Sequence, residues 1–274
     1  MDSVSSLLGV RSLDEEASLI KTMSFAILTL SLFFLFFTVY LHEAPYGRYA
    51  RQYKWFWGCQ INSKIGWFVQ ELPSLVIPIL CLLLVNEETS KINNGVTANS
   101  ILLACFIAHY IHRALIYPFL IRGNSPTTCL SVLVAVVLCI VDGYVHGRYL
   151  TAFASYPDEW LYDPRFIGGV VLFVTGMVIN IHADHTLRNL RKPSETGYKI
   201  PRGGLFEYIS GANFFGEIIE WIGYGLASWS LVGLTMPLMT MSNTLPRGVH
   251  HHRYYLEKFD DYPKNRKAVI PFIL

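Results

Sequence analysis

The chain has 274 residues, of which 52% are hydrophobic and only 15% are charged, and its formal net charge is +2. So small a charge gives no basis for a nucleic-acid partner, which typically needs a strongly basic surface. The five cysteines form no CxxC pair, which argues against a thiolate metal site and against a disulfide framework. No internal repeat or long linker divides the sequence, so we predict a single domain over residues 1–274.

Residues 1–22 are too polar and acidic for a secretory signal, so we expect the apolar run that follows to be retained as an anchor. That run, Met23–Leu41, has nineteen residues without a charge, enough to cross the ~30 Å hydrocarbon layer as one helix. Six further candidate spans follow: Ile65–Val85, Asn99–Ile121, Thr128–Leu150, Phe166–His182, Gly211–Ser230 and Leu231–His250. The last two lack an obvious polar loop between them, so one long span is an alternative. We predict an all-α, polytopic membrane protein with a bundle of seven transmembrane helices.

The distribution of basic residues predicts the orientation of this bundle. If the N-terminus is outside, the segments 42–64, 122–127, 183–207 and 247–274 are cytosolic, and together they carry sixteen Lys or Arg. The opposite set, residues 1–22, 86–98 and 151–165 with the turn near 230, carries four. Cytosolic loops are enriched in Lys and Arg, so the C-terminus is predicted to be cytosolic.

Several ionisable residues lie inside or at the edge of the predicted spans. A charged group in a bilayer core costs several kcal/mol, so such residues usually face the interior of a bundle and have a function. The sequence therefore predicts a polar chamber among the helices. Its candidate residues are Glu71, Arg113, Asp142, Asp184, Glu217 and Glu220.

Helical spacing aligns polar residues along three of the predicted helices. The aligned sets are Tyr110, Arg113 and Tyr117 on the third span, Asn180, Asp184, Arg188 and Arg191 on the fifth, and Asn213, Glu217, Glu220 and Tyr224 on the sixth. These stripes indicate a binding site between helices. The alternative is that the groups only pair with one another and hold the bundle together.

The loop between the fifth and sixth spans is rich in basic residues and contains a glycine pair, Gly203 and Gly204. Arginine forks and closely approaching glycine backbone suit a polyphosphate, and the adjoining Asn180 and Asp184 suit ribose hydroxyls and an amide or adenine edge. No GxGxxG motif follows a strand, so a Rossmann site is not supported. The alternative is a basic loop that only orients the protein.

Seven histidines lie in clusters: His109 with His112, His182 with His185, and His250–His252. This spacing resembles that of membrane di-iron oxygenases, because imidazole is a good iron ligand. Those enzymes need about eight ligating histidines, whereas His42 and His146 are isolated here. We therefore expect no metal.

Glu71 lies near one end of the second span, four residues after Trp67. A carboxyl group in an apolar, aromatic pocket tends to stay protonated, and a neutral acid can donate a hydrogen bond to a ketone oxygen and stabilise an enolate. The alternative is a glutamate that reaches into the membrane interface.

Over roughly Gly66–Leu274 the chain resembles the steroid 5α-reductases. The matching strings are Trp67–Ser74, His109–Arg113, Ile179–Asp184, Leu187–Pro193, Tyr198–Phe206, Ala212–Trp221, His250–Tyr255, Tyr262–Lys264 and Pro271–Phe272. The first ~60 residues match weakly, apart from Tyr46–Arg48. The resemblance implies a catalytic bundle over residues 65–274, preceded by the first span and its loop at 23–64 and by the polar segment 1–22.

The resemblance also implies an activity, namely NADPH-dependent reduction of the 4,5 double bond of 3-oxo-4-ene steroids such as testosterone or progesterone, with hydride transfer to C5. Glu71 and Tyr110 match the residues that bind the C3 ketone, and Trp67 matches a wall of the steroid pocket. Lys199 stands where some relatives have Arg, and Asn124–Ser125 replaces a basic position. The residues that match the NADPH site are Asn180, Asp184, Arg191, Tyr198, Lys199, Asn213, Glu217 and Tyr255, with His251 in support.

Other functions remain open on the sequence. They are reduction of another activated alkene (a polyprenol or a 2,3-enoyl thioester), di-iron oxygenation, non-catalytic sterol binding or scaffolding, and methyl transfer by a related C-terminal cradle. We expect an integral membrane protein, in the endoplasmic reticulum of a eukaryote or the inner membrane of a bacterium. Its expected partners are a steroid and membrane lipid, without an obligate protein partner.

Overall fold

A computed structural model describes residues 12–40, 59–92, 95–122, 126–191, 195 and 197–274. Most of this part of the chain is helical, as predicted. The long helices are α1 (Leu13–Tyr40), α2 (Ser63–Leu84), α3 (Ala98–Tyr110), α4 (Cys129–Arg148), α5 (Pro164–Asn189), α6 (Ala212–Ser228) and α7 (Leu231–Lys258). A π-helical turn, Ile111–Ile116, and a last turn, Tyr117–Leu120, continue α3, and a second π-helical turn, Tyr149–Phe153, continues α4.

Five of these helices are long and apolar enough to cross a membrane, and they coincide with the first five predicted spans. They are Leu13–Val39, Ser63–Leu84, Ala98–Leu120, Cys129–Phe153 and Pro164–Asn189. Within the described residues α6 and α7 do not meet the same criterion. The chain is therefore a membrane protein with five candidate spans in the described residues. The seven-span count and the cytosolic C-terminus stay predictions.

Helix α1 begins at Leu13, ten residues before the predicted first span. Ser12 caps it, since the Ser12 hydroxyl accepts from the Glu15 amide at 3.2 Å. Glu16 is fully buried because it pairs with Arg148, which donates to its two carboxyl oxygens at 2.7 and 2.9 Å. Residues 13–22 of the predicted polar segment are thus continuous with the first span in one helix, and the buried ion pair offsets part of their acidic character.

Helices α6 and α7 are separate, as the preferred prediction had it. Trp229 breaks the helix with a left-handed backbone (φ 43°), and Ser230 caps α7 by accepting from the Gly233 amide at 2.9 Å. Trp221 and Tyr224 of α6 pack with Phe106 of α3 in the main core of the bundle. This aromatic layer joins the first and second halves of the chain.

Glycines allow α5 and α6 to approach until their backbones touch. Gly169 and Gly176 of α5 face Gly223 and Gly216 of α6, and a Cβ added at Gly176 would collide with the backbone of Glu220. Small residues of this kind commonly mediate close helix packing in membranes. The contact sets the distance between the predicted binding residues of the two helices.

Two short strands, β1 (Gln60–Asn62) and β2 (Pro126–Thr128), pair antiparallel, and a disulfide joins Cys59 to Cys129 beside them. The expectation that no cysteine forms a disulfide is wrong for this pair. The two residues are 70 apart in sequence, and only the strand pairing brings them together. Cys81, Cys105 and Cys139 are not joined in disulfides.

The segment after α7 folds back onto the loop before α6, and we call this contact the tail clamp (residues 259–274 on residues 203–211). The amides of Ser210 and Gly211 donate to the carbonyls of Lys267 and Ala268, each at 2.9 Å. Arg266 is buried and donates to the Pro201 carbonyl at 2.9 Å. The clamp fixes the glycine-containing loop next to the start of α6.

Candidate functional site

Arg113 lies at the centre of the polar residues between the helices. Its guanidinium carbon is 4.8 Å from the ring centroid of Trp67 and 4.7 Å from that of Tyr117, so aromatic rings flank it. Its Nη1 atom is 3.8 Å from Asp184 Oδ2. Glu71 and Glu217 are also within its electrostatic range. In the described part of the chain, three of the predicted carboxyl groups thus lie near the buried cation of Arg113.

The π-helical turn explains which helices the third stripe contacts. Such a turn widens the helix locally, and π-bulges are frequent at functional sites. The Tyr110 side chain, just before it, faces α4, whereas Arg113 and Tyr117 contact α2 and α5. The predicted stripe is thus divided between two neighbouring surfaces rather than aligned on one.

Glu71 and Tyr110, the predicted ketone-binding pair, are within electrostatic range of each other. Tyr110 is buried, and its hydroxyl lies 3.2 Å from Asp142 Oδ2. Glu71 is half-buried on α2 and accepts from Gln70 Nε2 at 3.1 Å. The indole nitrogen of Trp67 is buried without a hydrogen-bond partner in the described part of the chain. This corner of the site, formed by Trp67, Glu71 and Tyr110, therefore offers a carboxyl group, a phenol and an indole N–H without a partner among the described residues.

A second group of polar residues lies where α5 and α6 touch. Asn180 is buried and its Nδ2 donates to the Asn213 carbonyl at 2.9 Å. Asp184 is buried beside the Asn213 side chain, and half-buried Glu217 faces Arg113. The structure therefore brings together four of the predicted NADPH-binding residues, and Arg113 links them to the corner formed by Trp67, Glu71 and Tyr110.

The last two residues of the fifth-span stripe lie outside this cluster, because helix α5 ends at Asn189. Arg188 lies 3.0 Å from His185 Nδ1, and Arg191 donates to the Gly197 carbonyl at 3.1 Å. Tyr198 is exposed with its ring edge against Tyr254, and Lys199 pairs with Glu195 at 2.5 Å. These groups form a basic and aromatic rim outside the buried cluster.

Helix α7 supplies the other two predicted cofactor residues. Tyr255 is buried and stacks on Tyr262, with ring centroids 5.4 Å apart, and His251 packs against Phe214 at 5.8 Å. Both are on the second half of α7, next to the tail clamp. The clamp thus connects them to the glycine loop.

The glycine loop is held by Glu207. Gly203 has φ 89° and Gly204 has φ 55°, values that favour glycine, and the Gly203 amide donates to Glu207 Oε1 at 2.6 Å. This backbone hydrogen bond, followed by the charges of Arg266 and Arg202, lowers the pKa of Glu207 below its ordinary value. The carboxylate therefore keeps this loop in one conformation at neutral pH.

Glu220 does not join the chamber as predicted. It is fully buried and lies 2.7 Å from His109 Nδ1. For this pair the alternative of mutual pairing holds, and no sequence pattern predicts it because the two residues are 111 apart in the chain. Among the residues that the structure describes, no group of three His, Cys, Asp or Glu side chains could hold a metal ion.

The matches at residues 46–48, 123–125 and 192–193, like His42, lie outside the described residues.

The sequence-based prediction did not include the polar contacts behind Tyr110. His146, counted as isolated, lies 3.4 Å from Asp142 and 3.0 Å from the Tyr224 hydroxyl. Its spacing of four residues from Asp142 on α4 could have revealed the first contact.

The sequence is similar to those of several known proteins. A family model described as 3-oxo-5-alpha-steroid 4-dehydrogenase matches residues 125–274, which include α4 to α7. The rat protein 3-oxo-5-alpha-steroid 4-dehydrogenase 1 is 50% identical over 231 residues, 84% of this chain and 86% of the rat protein. The human protein of that name is 50% identical over 214 residues, 78% of this chain and 81% of its own length. Human 3-oxo-5-alpha-steroid 4-dehydrogenase 2 is 47% identical over 214 residues, 78% and 82% of the two chains.

Proposed function

This chain belongs to the 3-oxo-5-alpha-steroid 4-dehydrogenase family, and on that premise we propose that it reduces the 4,5 double bond of 3-oxo-4-ene steroids with NADPH. One observation supports the proposal most directly. Arg113 joins an acid–phenol–tryptophan corner to a buried amide and carboxylate cluster, so that a ketone and a nucleotide would lie side by side.

At the ketone corner, Glu71 in its protonated form and Tyr110 donate hydrogen bonds to the C3 oxygen. Hydride addition at C5 moves negative charge onto that oxygen, and donors already in place stabilise it; one such donor is typically worth ~10²–10³ in rate. Trp67 forms a wall of the steroid pocket, and its unpartnered indole N–H is available to a polar group of a ligand. The surrounding helices exclude water and orient the substrate.

The donor set between α5 and α6 fits a reduced dinucleotide. The Asn180 and Asn213 amides suit a carboxamide, and the Asp184 and Glu217 carboxyls suit ribose hydroxyls. Arg191 and Lys199 on the rim suit phosphates, and the rings of Tyr198, Tyr255 and His251 flank the site. When bound, NADPH supplies the hydride; the protein supplies position and electrostatics.

The activity is tested by incubating membranes that contain the protein with progesterone or testosterone and NADPH, and by determining the configuration of the product at C5. We expect the 5α product with NADPH and much less with NADH. A chain that binds NADPH but reduces only a polyprenol or an enoyl thioester would contradict the steroid assignment while keeping the reductase class.

Glu71→Gln tests the role of the acid. An amide is a far weaker acid than a carboxyl group and stabilises the developing charge less, so kcat should fall by ~10²-fold or more. Glu87→Gln, which changes an exposed glutamate beyond the end of α2, is the matched control and should leave kcat unchanged. Near-normal turnover of Glu71→Gln with NADPH bound would exclude this role.

A further inference from the structure

Behind Tyr110, α4 carries a buried acid and a buried histidine that the proposed function does not use. Asp142 is 1% exposed and His146 is fully buried. The Tyr110 hydroxyl is 3.2 Å from Asp142 Oδ2, and His146 Nε2 is 3.4 Å from the other carboxyl oxygen, Oδ1. Asp142 is therefore in contact with the phenol that we place at the substrate ketone.

The hydrogen bonds of His146 are made to hydroxyl groups. Its Nδ1 lies 3.0 Å from the Tyr224 hydroxyl and its Nε2 lies 3.1 Å from Thr235 Oγ1. Asp142 Oδ1 has no hydrogen-bond partner in the described part of the chain, because the approach of His146 at 3.4 Å lacks hydrogen-bond geometry. An ionised Asp142 would be buried with a single hydrogen bond, which is costly.

His109, which is paired with Glu220 at 2.7 Å, is the neighbour whose charge would partly compensate a negative charge on Asp142. Among the described residues, the titratable side chains that face it from each packed element include no Lys or Arg. They are Cys139 and His146 of α4, His109 and Tyr110 of α3, Glu71 of α2 and Tyr224 of α6. Arg148, farther along α4, is bound to Glu16. Glu71 is also an acid, so its carboxylate would repel that of Asp142 if both were ionised.

We propose that Asp142 is uncharged and acts as a positioning residue, donating its carboxyl proton to the phenol oxygen of Tyr110. This inference rests on the proposed function. The heavy-atom distance of 3.2 Å suits either direction of donation. An uncharged acid has one proton to donate, and the phenol oxygen is the acceptor within reach of Oδ2.

The direction of this hydrogen bond decides what Tyr110 can do, because a phenol has one proton. If Asp142 donates, the Tyr110 proton is free to point at the ketone oxygen. If Asp142 is ionised, Tyr110 must donate to it, and the ketone loses one of its two donors. Asp142 therefore determines which acceptor the Tyr110 hydroxyl proton points toward, without touching the substrate.

Infrared difference spectroscopy tests the charge state without any need for activity. The spectrum of the wild-type protein minus that of Asp142→Asn should show the carbonyl band of a protonated carboxylic acid at neutral pH. The matched control, Asp158→Asn, changes an exposed aspartate and should show carboxylate bands instead. Carboxylate bands in the Asp142 difference would overturn the inference, even if the steroid activity is confirmed.

Kinetics test the positioning role. Asparagine keeps an N–H donor at every pH, so Asp142→Asn should keep kcat within about threefold and should lack the fall in activity that we expect of the wild type as rising pH ionises Asp142. Asp142→Leu neither holds the phenol oxygen nor competes for its proton, so kcat should fall about tenfold, the value of one hydrogen bond, with a smaller change in KM. Equal kcat losses in both variants, or an unchanged alkaline limb in Asp142→Asn, would overturn the role. If the wild type reduces no steroid, the proposed function fails, and the infrared result alone decides the state of Asp142.

Discussion

Arg113 combines stacking and charge pairing in one side chain. Its guanidinium lies against two aromatic rings that touch each other, with centroids 5.5 Å apart, and also approaches Asp184. An ammonium group can provide the charge but cannot stack or present two parallel donors. At the scale of one residue, the site therefore depends on the shape of the cation as well as on its sign.

Arg113→Lys should weaken NADPH binding about tenfold, since a cation–π contact of ~1–2 kcal/mol and the approach to Asp184 are impaired. Arg165→Lys is a matched control, because the Arg165 guanidinium is also near two rings, 4.5 Å from the centroid of Trp160 and 4.8 Å from that of Trp229. The control should bind NADPH normally. Fluorescence titration with NADPH measures both, and equal affinities for the two variants would show that Arg113 does not serve the cofactor side.

At the scale of elements, the α5–α6 contact sets the geometry of the cofactor cluster. Gly176 and Gly216 let the two backbones meet, and the Asn180–Asn213 hydrogen bond follows one turn away. A side chain at either glycine would push the helices apart. The glycines therefore shape the proposed cofactor site even though they carry no functional group.

Gly176→Ala should destabilise the protein by about 1–3 kcal/mol through overpacking and should weaken NADPH binding. Gly168→Ala, on the same helix, is the matched control because a Cβ there meets no atom within 4 Å. Thermal unfolding and NADPH titration measure the two effects. A Gly176→Ala protein as stable as the control would show that the helices can separate without cost.

A histidine of α7, His252, contacts the tail clamp, and its charge state affects the clamp. His252 Nδ1 lies 2.6 Å from Ser210 Oγ, which also lies 2.6 Å from the Tyr262 hydroxyl. Burial, and then the charge of Lys267, lower the pKa of His252 below its ordinary value. The unfolded chain therefore binds this proton more readily than the folded one.

We expect the stability of the clamp to be complete above about pH 6.5 and to decrease as pH falls below it, because a lowered histidine pKa favours the neutral folded state. His252→Gln should reduce this acid sensitivity, whereas His185→Gln, at an exposed position on α5, should not. Thermal unfolding from about pH 8 to about pH 5 measures the effect. An acid sensitivity identical in wild type and His252→Gln would assign it to other groups.

At the scale of the whole molecule, α1 is attached to the bundle by a buried ion pair near its N-terminal end. Glu16 binds Arg148 of α4 and also accepts from the Tyr144 hydroxyl at 2.7 Å. Farther along, Ile20 and Ile27 pack against α4 and α7. Many other α1 side chains, among them Phe33, are exposed toward the surroundings of the bundle.

Glu16→Gln should lower the free energy of unfolding by about 3 kcal/mol or more, since it leaves a buried guanidinium without its carboxylate. Asp14→Asn, in the same helical turn but exposed, should change stability little. Detergent-solubilised protein unfolded by heat gives the comparison. Similar midpoints for both variants would mean that Arg148 finds another partner.

The sequence predicts the helices of this fold better than their contacts. Apolar length reveals where spans such as Ile65–Val85 lie, because bilayer thickness imposes it. Apolar length does not predict where α1 begins, because the cost of burying Glu16 is offset by Arg148, a partner 132 residues away. It also assigns Glu217 and Glu220 to one polar face, whereas only the packing of α3 on α6 decides that Glu220 pairs with His109. Motif resemblance predicts that Glu71, Tyr110 and the α5–α6 residues lie together, but periodicity alone does not.

The sulfur bridge between Cys59 and Cys129 closes a covalent ring that contains α2 and α3. If the candidate spans cross the membrane in alternation, this ring faces the same compartment as the basic rim at the end of α5, which we propose binds the phosphates. Disulfides persist in oxidising compartments and are rare in the cytosol. The positive-inside pattern nevertheless predicts that this cysteine pair lies on the cytosolic side. The thiol state of this pair in native membranes therefore reports which compartment supplies the nucleotide: free thiols mark the cytosol, and an intact bridge marks the opposite side.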